Sequence, residues 1–217
     1  KGNQRDELNS FDGRSYALAA SSVRLLKNLD IFEDIRGCSQ PILDIEILDG
    51  KLVQGPSQFS LHFDNNEIHD GPMGYMVEDR FIQKTLFAQI LATNQIDYKF
   101  DSKVTEHYQQ GSYISVQLDD GQKLRTRLVV GADGRNSNIA KRAKIKKSGW
   151  RYKQNALVCA IEHEIDHKGL AWQYFLPNGP LAILPMTGNR SSIVWTEQTK
   201  NADAINALDD NQYIKIL

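Results

Sequence analysis

Apolar side chains recur along the chain with two periods. Leu18, Leu25, Leu29 and Phe32 stand seven, four and three apart, with Val23 and Leu26 between them, which predicts a helix within Ser15 to Phe32. Ser21 and Ser22 are mediocre helix formers and would let it begin as late as Ser22. Ile42 to Leu48 alternates in the manner of a strand, and a short strand is predicted around Phe59 to Phe63 within the polar, turn-rich stretch from Asp49 to Gly71. A second helix is predicted from Glu78 to Ala92 and a short strand from Ile96 to Phe100. Lys103 to Gln109, Tyr113 to Leu118 and Lys123 to Val130 read as a three-stranded antiparallel meander. Gln110-Gly111 and Asp119-Asp120-Gly121 join its strands, with glycine placed where a hairpin needs positive φ.

A helix is then predicted over Ser137 to Ala143, followed by strands at Ala156 to Glu164, Leu170 to Leu176, Leu181 to Pro185 and Ser191 to Thr196. Pro177-Asn178-Gly179-Pro180 and Thr187-Gly188-Asn189-Arg190 form turns between the last three, and Asn201 to Leu217 reads as helix. Helices early and antiparallel strands late give a mixed α/β (α+β) chain, in which a nucleotide-binding region is interleaved with an antiparallel substrate sheet. Residues 1–150 are expected to form part of the first region, with an inserted piece of the second around 35–75; residues 151–217 continue the antiparallel part.

Composition narrows the class without naming it. The chain has 217 residues, is 41% hydrophobic and 24% charged, and carries a net charge of −1, all ordinary for a globular protein. That balance offers no basic field for nucleic acid. Cys38 and Cys159 form no CxxC and read as buried free thiols. No apolar run reaches the roughly 18 residues a membrane-spanning helix needs. His62, His69, His107, His163 and His167 show no metal-ligand spacing and read as surface or loop residues, and Glu162-His163-Glu164 reads as an exposed strand edge. The first residue is not Met and the last lies inside a predicted helix, so the sequence reads as part of a longer chain.

The stretch LVVGADGRNS, Leu128 to Ser137, carries the chemistry. An apolar strand runs into Gly-Ala-Asp-Gly and then a helix start. Gly131 and Gly134 remove side chains where backbone turns sharply or approaches a ligand. Asp133 cannot favour a pyrophosphate by charge; it must act on sugar hydroxyls, through water, or by holding nearby backbone N–H groups. Ser137 suits the N-cap of the following helix, whose N-terminus would favour a phosphate. The same four residues would equally make a corner that binds nothing.

LVVGADGRNS is similar to the GADGxxS motif of the FAD-dependent aromatic hydroxylases, the group A flavoprotein monooxygenases. Asp12-Gly13-Arg14-Ser15-Tyr16-Ala17-Leu18 resembles the D-x-R-x-x-A-L motif of the 2-polyprenylphenol hydroxylases of ubiquinone biosynthesis. Gly74-Tyr75-Met76-Val77-Glu78-Asp79-Arg80 resembles their G-Y-x-x-E-N-R segment. Gln173 to Pro185 looks like their Q-x-F-x-x-x-G-P-x-A-x-L-P stretch, and Ser191 to Thr196 like their S-x-V-W-T strand. These matches fall in one order and span nearly the whole chain.

The resemblance implies a Rossmann-like FAD region. Arg14, Arg80, Gly131, Ala132, Asp133, Gly134 and Ser137 would contact the cofactor. Tyr174, Phe175 and Trp195 would line the substrate sheet, although aromatic residues on strands are more often core. It implies NAD(P)H and O2 as co-substrates, a flavin C4a-hydroperoxide, and no catalytic triad or metal. The implied substrate is a polyprenylated phenol. The implied location is cytoplasmic, with peripheral contact at the inner membrane and other ubiquinone-biosynthesis proteins as partners. Ala140 departs from the family's arginine at its position, and the family's GxGxxG and later G-D motifs do not occur in the sequence. Two other classes stay open: a related flavoprotein such as a reductase or halogenase, which segments outside this sequence would discriminate, and a non-catalytic fragment, which suits a chain that lacks half the FAD site.

Overall fold

The computed structural model describes residues 11–51, 55–67 and 71–217. His69 and the N-terminal polar residues lie outside them. The chain divides into two compact units, residues 1–93 with 152–217, and residues 94–151.

The first unit holds two sheets. Strand β1 (Ser15–Ala19) pairs antiparallel with β5 (Gly74–Glu78), which pairs on its other side with β2 (Ser39–Ile42). Gly74 permits the first pairing, because a Cβ there would stand 2.5 Å from the Leu18 carbonyl oxygen. Helices α1 (Ala20–Asn28) and α2 (Phe32–Arg36) follow β1, and α3 (Asp79–Ala92) follows β5. Phe32, Ile35 and Val23 form their buried core, joined by Leu18, Leu26, Tyr75 and Ile82. Phe32 meets Tyr75 edge-on at 5.0 Å between ring centroids.

The helix predicted over Ser15 to Phe32 is thus a strand, a helix and the start of another. Ser15 to Ala19 finds a ladder partner in β5, and Asp30 turns the chain with φ of 55°. No single helical phase runs through the segment, so Leu25 and Leu29 are exposed while Val23 is buried. The helix at the second motif begins at Asp79, where an acidic residue in the first turn complements the helix N-terminus.

The larger sheet has the order β4-β3-β10-β11-β12-β9. It is built from β3 (Asp44–Lys51), β4 (Gly55–Asp64), β9 (Gln154–Glu162), β10 (Leu170–Leu176), β11 (Gly179–Met186) and β12 (Arg190–Gln198). Only the β10–β3 pair is parallel; it brings the segment before residue 65 against the late antiparallel strands. One face packs Leu181, Ile193 and Trp195 against Ile205, Tyr213 and Leu217 of the C-terminal helices. Ile42, Met76 and Ala171 form a further core cluster with Ile45 and Leu184. The predicted C-terminal helix is two, α5 (Thr199–Asn206) and α6 (Asp210–Ile216). Asp209 breaks it: its side chain accepts from the Gln212 N–H at 2.9 Å, and the Gln212 side chain accepts from the Asp209 N–H at 3.3 Å.

The second unit holds the predicted meander, β6 (Val104–Gln110), β7 (Tyr113–Leu118) and β8 (Lys123–Thr126), with the short helix α4 (Asn138–Arg142). One predicted strand joins no ladder among the described residues, and the third strand of the meander stops at Thr126, short of the predicted Val130. Ile96 to Phe100 and Leu128 to Val130 have no strand paired to them among the described residues. Leu128 is held instead by a side chain: Thr126 Oγ1 donates to its carbonyl at 2.9 Å and accepts from its N–H at 3.3 Å, while Leu128 and Val130 are 71% and 76% exposed.

Candidate functional site

The glycine corner lies in the second unit. Its residues 131–136 are exposed, and Ser137 is buried beneath them. Gly134 has φ of 81°, a conformation side chains resist, and nothing stands within 4 Å of where its Cβ would be. A Cβ on Gly131 would meet Ile139 at 3.0 Å, so glycine there lets the chain approach the helix that follows it.

Asp133 does not reach outward. Its Oδ1 accepts from the Ser137 hydroxyl, and its Oδ2 accepts from the Asn138 and Ile139 N–H groups at 2.7 and 3.2 Å. Ser137 Oγ in turn accepts from the Ala140 N–H at 3.0 Å, the predicted N-cap. The Ser137 hydroxyl, followed by the Ile139 and Asn138 N–H groups, holds the Asp133 carboxyl below its ordinary range. Of the roles open to Asp133 in the sequence, holding backbone N–H groups is the one the geometry displays. The helix N-terminus expected to favour a phosphate is therefore capped from within the chain. The helix is also only five residues long, too short for a strong dipole. His107 and Arg142 fasten it to the meander: His107 Nε2 lies 3.2 Å from the Ile139 carbonyl, and Arg142 donates to the Val104 carbonyl at 3.1 Å.

Arg14 and Arg80 lie in the first unit, within one network of charge. Asp12 accepts from the Arg14 backbone N–H at 3.0 Å and from its Nε at 2.7 Å, so the D-x-R spacing closes a small loop. Arg14 also lies 3.2 Å from Asp79, whose side chain is only 7% exposed. Gln83 donates to the same carboxylate at 2.5 Å, and the Tyr16 hydroxyl bonds it as well. β1 and β5 bring these residues together, with the Asp79 N–H donating to the Arg14 carbonyl at 3.0 Å. Arg80 donates from Nε to Glu78 at 2.7 Å and lies over Phe81. The same Glu78 accepts from Arg190, a residue placed in a turn from the sequence and given no role there. Glu78 and Asp79 were likewise legible only as a helix start.

The aromatic candidates separate. Trp195 is 2% exposed and edge-on to Tyr213, and Tyr174 joins the same core cluster and stacks on Trp172. Phe175 follows on the opposite face and is 53% exposed. A cavity of about 420 Å³ is lined by Leu157, Cys159, Ile161, Ile205 and Tyr213, and by none of the predicted site residues. Burial pushes the Tyr213 hydroxyl up, helped by Cys159, whose thiol donates to it at 3.5 Å. Both cysteines are half-buried instead of buried. His163 and His167 are not loose surface groups: His163 Nε2 lies 3.0 Å from Ser191 Oγ, and His167 Nε2 lies 2.8 Å from the Met186 carbonyl. Among the described residues no group of three His, Cys, Asp or Glu side chains could hold a metal, and no helix is long and apolar enough to cross a membrane.

Exposed backbone at a glycine corner in the second unit, and arginines held by carboxylates in the first, are each groups that a nucleotide cofactor can use. The chain belongs to the FAD binding domain family, whose model matches residues 4–217. Its relatives are the ubiquinone-pathway hydroxylases that the motifs resemble. The chain is 41% identical over 198 residues to the ubiquinone hydroxylase UbiL of Rhodospirillum rubrum, covering 91% of this chain and 45% of that protein. It is 29% identical over 185 residues to the 3-demethoxyubiquinol 3-hydroxylase of Escherichia coli, covering 85% and 46%. The fold is also that of PqsL of Pseudomonas aeruginosa, described as a probable FAD-dependent monooxygenase, with a TM-score of 0.77 at 16% identity over 95% of this chain and 60% of that one. The chain spans about half the length of the curated relatives it matches.

Proposed function

We propose that the protein is an FAD-dependent monooxygenase that hydroxylates the aromatic ring of a polyprenylated phenol in ubiquinone biosynthesis, with NAD(P)H and O2 as co-substrates. The observation that carries this reading is the family match through residues 4–217, which takes in the D-x-R loop, the Glu-Asp-Arg helix start and the glycine corner. When bound, FAD supplies the redox and oxygen-activating chemistry; the chain's task is to hold and orient.

In this reading Arg14 and Arg80 donate to polar edges of the cofactor, each braced by a buried carboxylate that keeps the guanidinium in one place. Gly131, Ala132 and Gly134 present bare or nearly bare backbone, while Asp133 and Ser137 hold that loop in shape from behind. Phe175 is the aromatic residue whose ring is open to a substrate, whereas Trp195 and Tyr174 shape the sheet beneath it. A prenylated substrate partitions into membrane, so the protein would meet it at a membrane surface.

Purified protein incubated with FAD should turn yellow and retain the flavin through desalting. It should also consume NAD(P)H faster when a prenylated phenol is added. Protein that stays colourless with FAD in excess contradicts the reading, and an unchanged NAD(P)H rate in a yellow protein contradicts the substrate class alone.

A further inference from the structure

Glu78 ends β5 with a side chain only 3% exposed, and its two oxygens go to two arginines from distant parts of the chain. Oε2 accepts from Arg80 Nε at 2.7 Å, and Oε1 accepts from Arg190 Nη2 at 2.7 Å. Arg190 opens β12, and the turn before it fixes the side chain independently. Its Nε donates to the Thr187 carbonyl at 3.1 Å and its Nη2 to the Thr187 hydroxyl at 3.0 Å. Both guanidinium groups also lie by the Phe11 ring, at 5.9 Å for Arg80 and 5.6 Å for Arg190.

A carboxylate facing a single arginine can take it through both oxygens. With Oε1 held by Arg190, Glu78 engages Arg80 through Oε2 and Nε. A buried carboxylate stripped of one partner re-forms its bonds with whatever cation remains, because it cannot stay unpaired. The position of Arg80 is thus coupled to the first residue of β12.

We infer that Arg190 is a positioning residue for Arg80: it fixes Glu78, and through Glu78 it ties the turn of the six-stranded sheet to the side chain proposed to hold FAD. The inference rests on the reading of Arg80 as an FAD contact. It adds a residue outside every motif that the resemblance supplied.

The test is FAD affinity, read from quenching of flavin fluorescence, for the wild type and for R190M, R190K and T187V. Thermal midpoints are measured alongside without FAD. R190M should weaken FAD binding about tenfold, the size of one lost charge-assisted bond. R190K keeps a cation within reach of Glu78 and should recover most of that loss. T187V removes only the hydroxyl anchor and should fall between wild type and R190M; it carries the test if R190M does not fold. Wild-type affinity in every folded variant overturns the inference, and so does R190K no better than R190M, since a packing role would not distinguish Lys from Met in that direction. A wild-type protein that takes up no FAD removes the reading of Arg80 itself, and the inference with it.

Discussion

The carboxylate of Asp133 accepts a hydroxyl and two backbone N–H groups, and that is its chemistry in the folded chain. The sign of its pH effect follows. Its folded pKa is depressed below the ordinary 3.8, so its contribution to stability is fully present above that value and is lost as pH falls through the lower folded value. Asp133→Asn should unfold at lower denaturant than wild type above about pH 5, and the gap should close in acid below 3.8. Parallel denaturation curves across that window check it. At Gly134 the backbone is the constraint: Gly134→Ala places a Cβ on a φ of 81° and should cost about 1 kcal/mol, read as a lower denaturation midpoint. The sequence marked both residues as a turn leading into a helix. It left Asp133 with several roles because a carboxylate in a turn can face a ligand or its own backbone equally well. Arg190 was invisible as a site residue because its partner lies 112 positions away. No spacing rule links a turn residue to a carboxylate on another sheet.

Elements were legible where one period governed a whole segment. β7 and β10 fall where alternation put them, and α3 begins one residue after the predicted start. Where periods changed inside a segment the reading blurred. Leu18 and Leu25 fit one helical stripe, yet Leu18 sits on β1 because Gly74 lets that strand lie close against β5. Gly74→Ala should therefore destabilise by about 1–3 kcal/mol, the usual result of forcing an extra carbon into close packing. Thermal denaturation of the variant checks this. The break at Asp209 was encoded as Asp-x-x-Gln, a capping box, and was passed over for a longer amphipathic run. Across β3 and β4, His62 lies between Glu46 and Asp44, and its pKa is raised first by the Glu46 hydrogen bond. A raised histidine pKa gives stability that is present below 6.5 and lost as pH rises through the folded value. A proton-resonance titration should find the His62 midpoint above 6.5, and Glu46→Gln should bring it down.

At the scale of the molecule the sequence reading expected a piece of the antiparallel region around 35–75, without naming the strands it would pair with. β2, β3 and β4 enter the same two sheets as β5 and as β9 to β12, since β3 finds its parallel partner in β10. Such pairings join segments more than a hundred residues apart, and local patterns carry no trace of them. The mixed fold class was readable, and so was the family, because several short motifs in one order constrain more than any single motif. The exposed segment Ile96 to Phe100 was read as a strand, and Leu128 to Val130 as the end of the third meander strand; neither has a ladder partner among the described residues.

The account stands on the proposal that Arg14 holds FAD, and equilibrium titration of FAD against the protein tests that most directly. It expects saturable quenching of flavin fluorescence at one FAD per chain, weakened when Arg14 is replaced by Ala. Quenching that never saturates, or that is equally strong in Arg14→Ala, would contradict it.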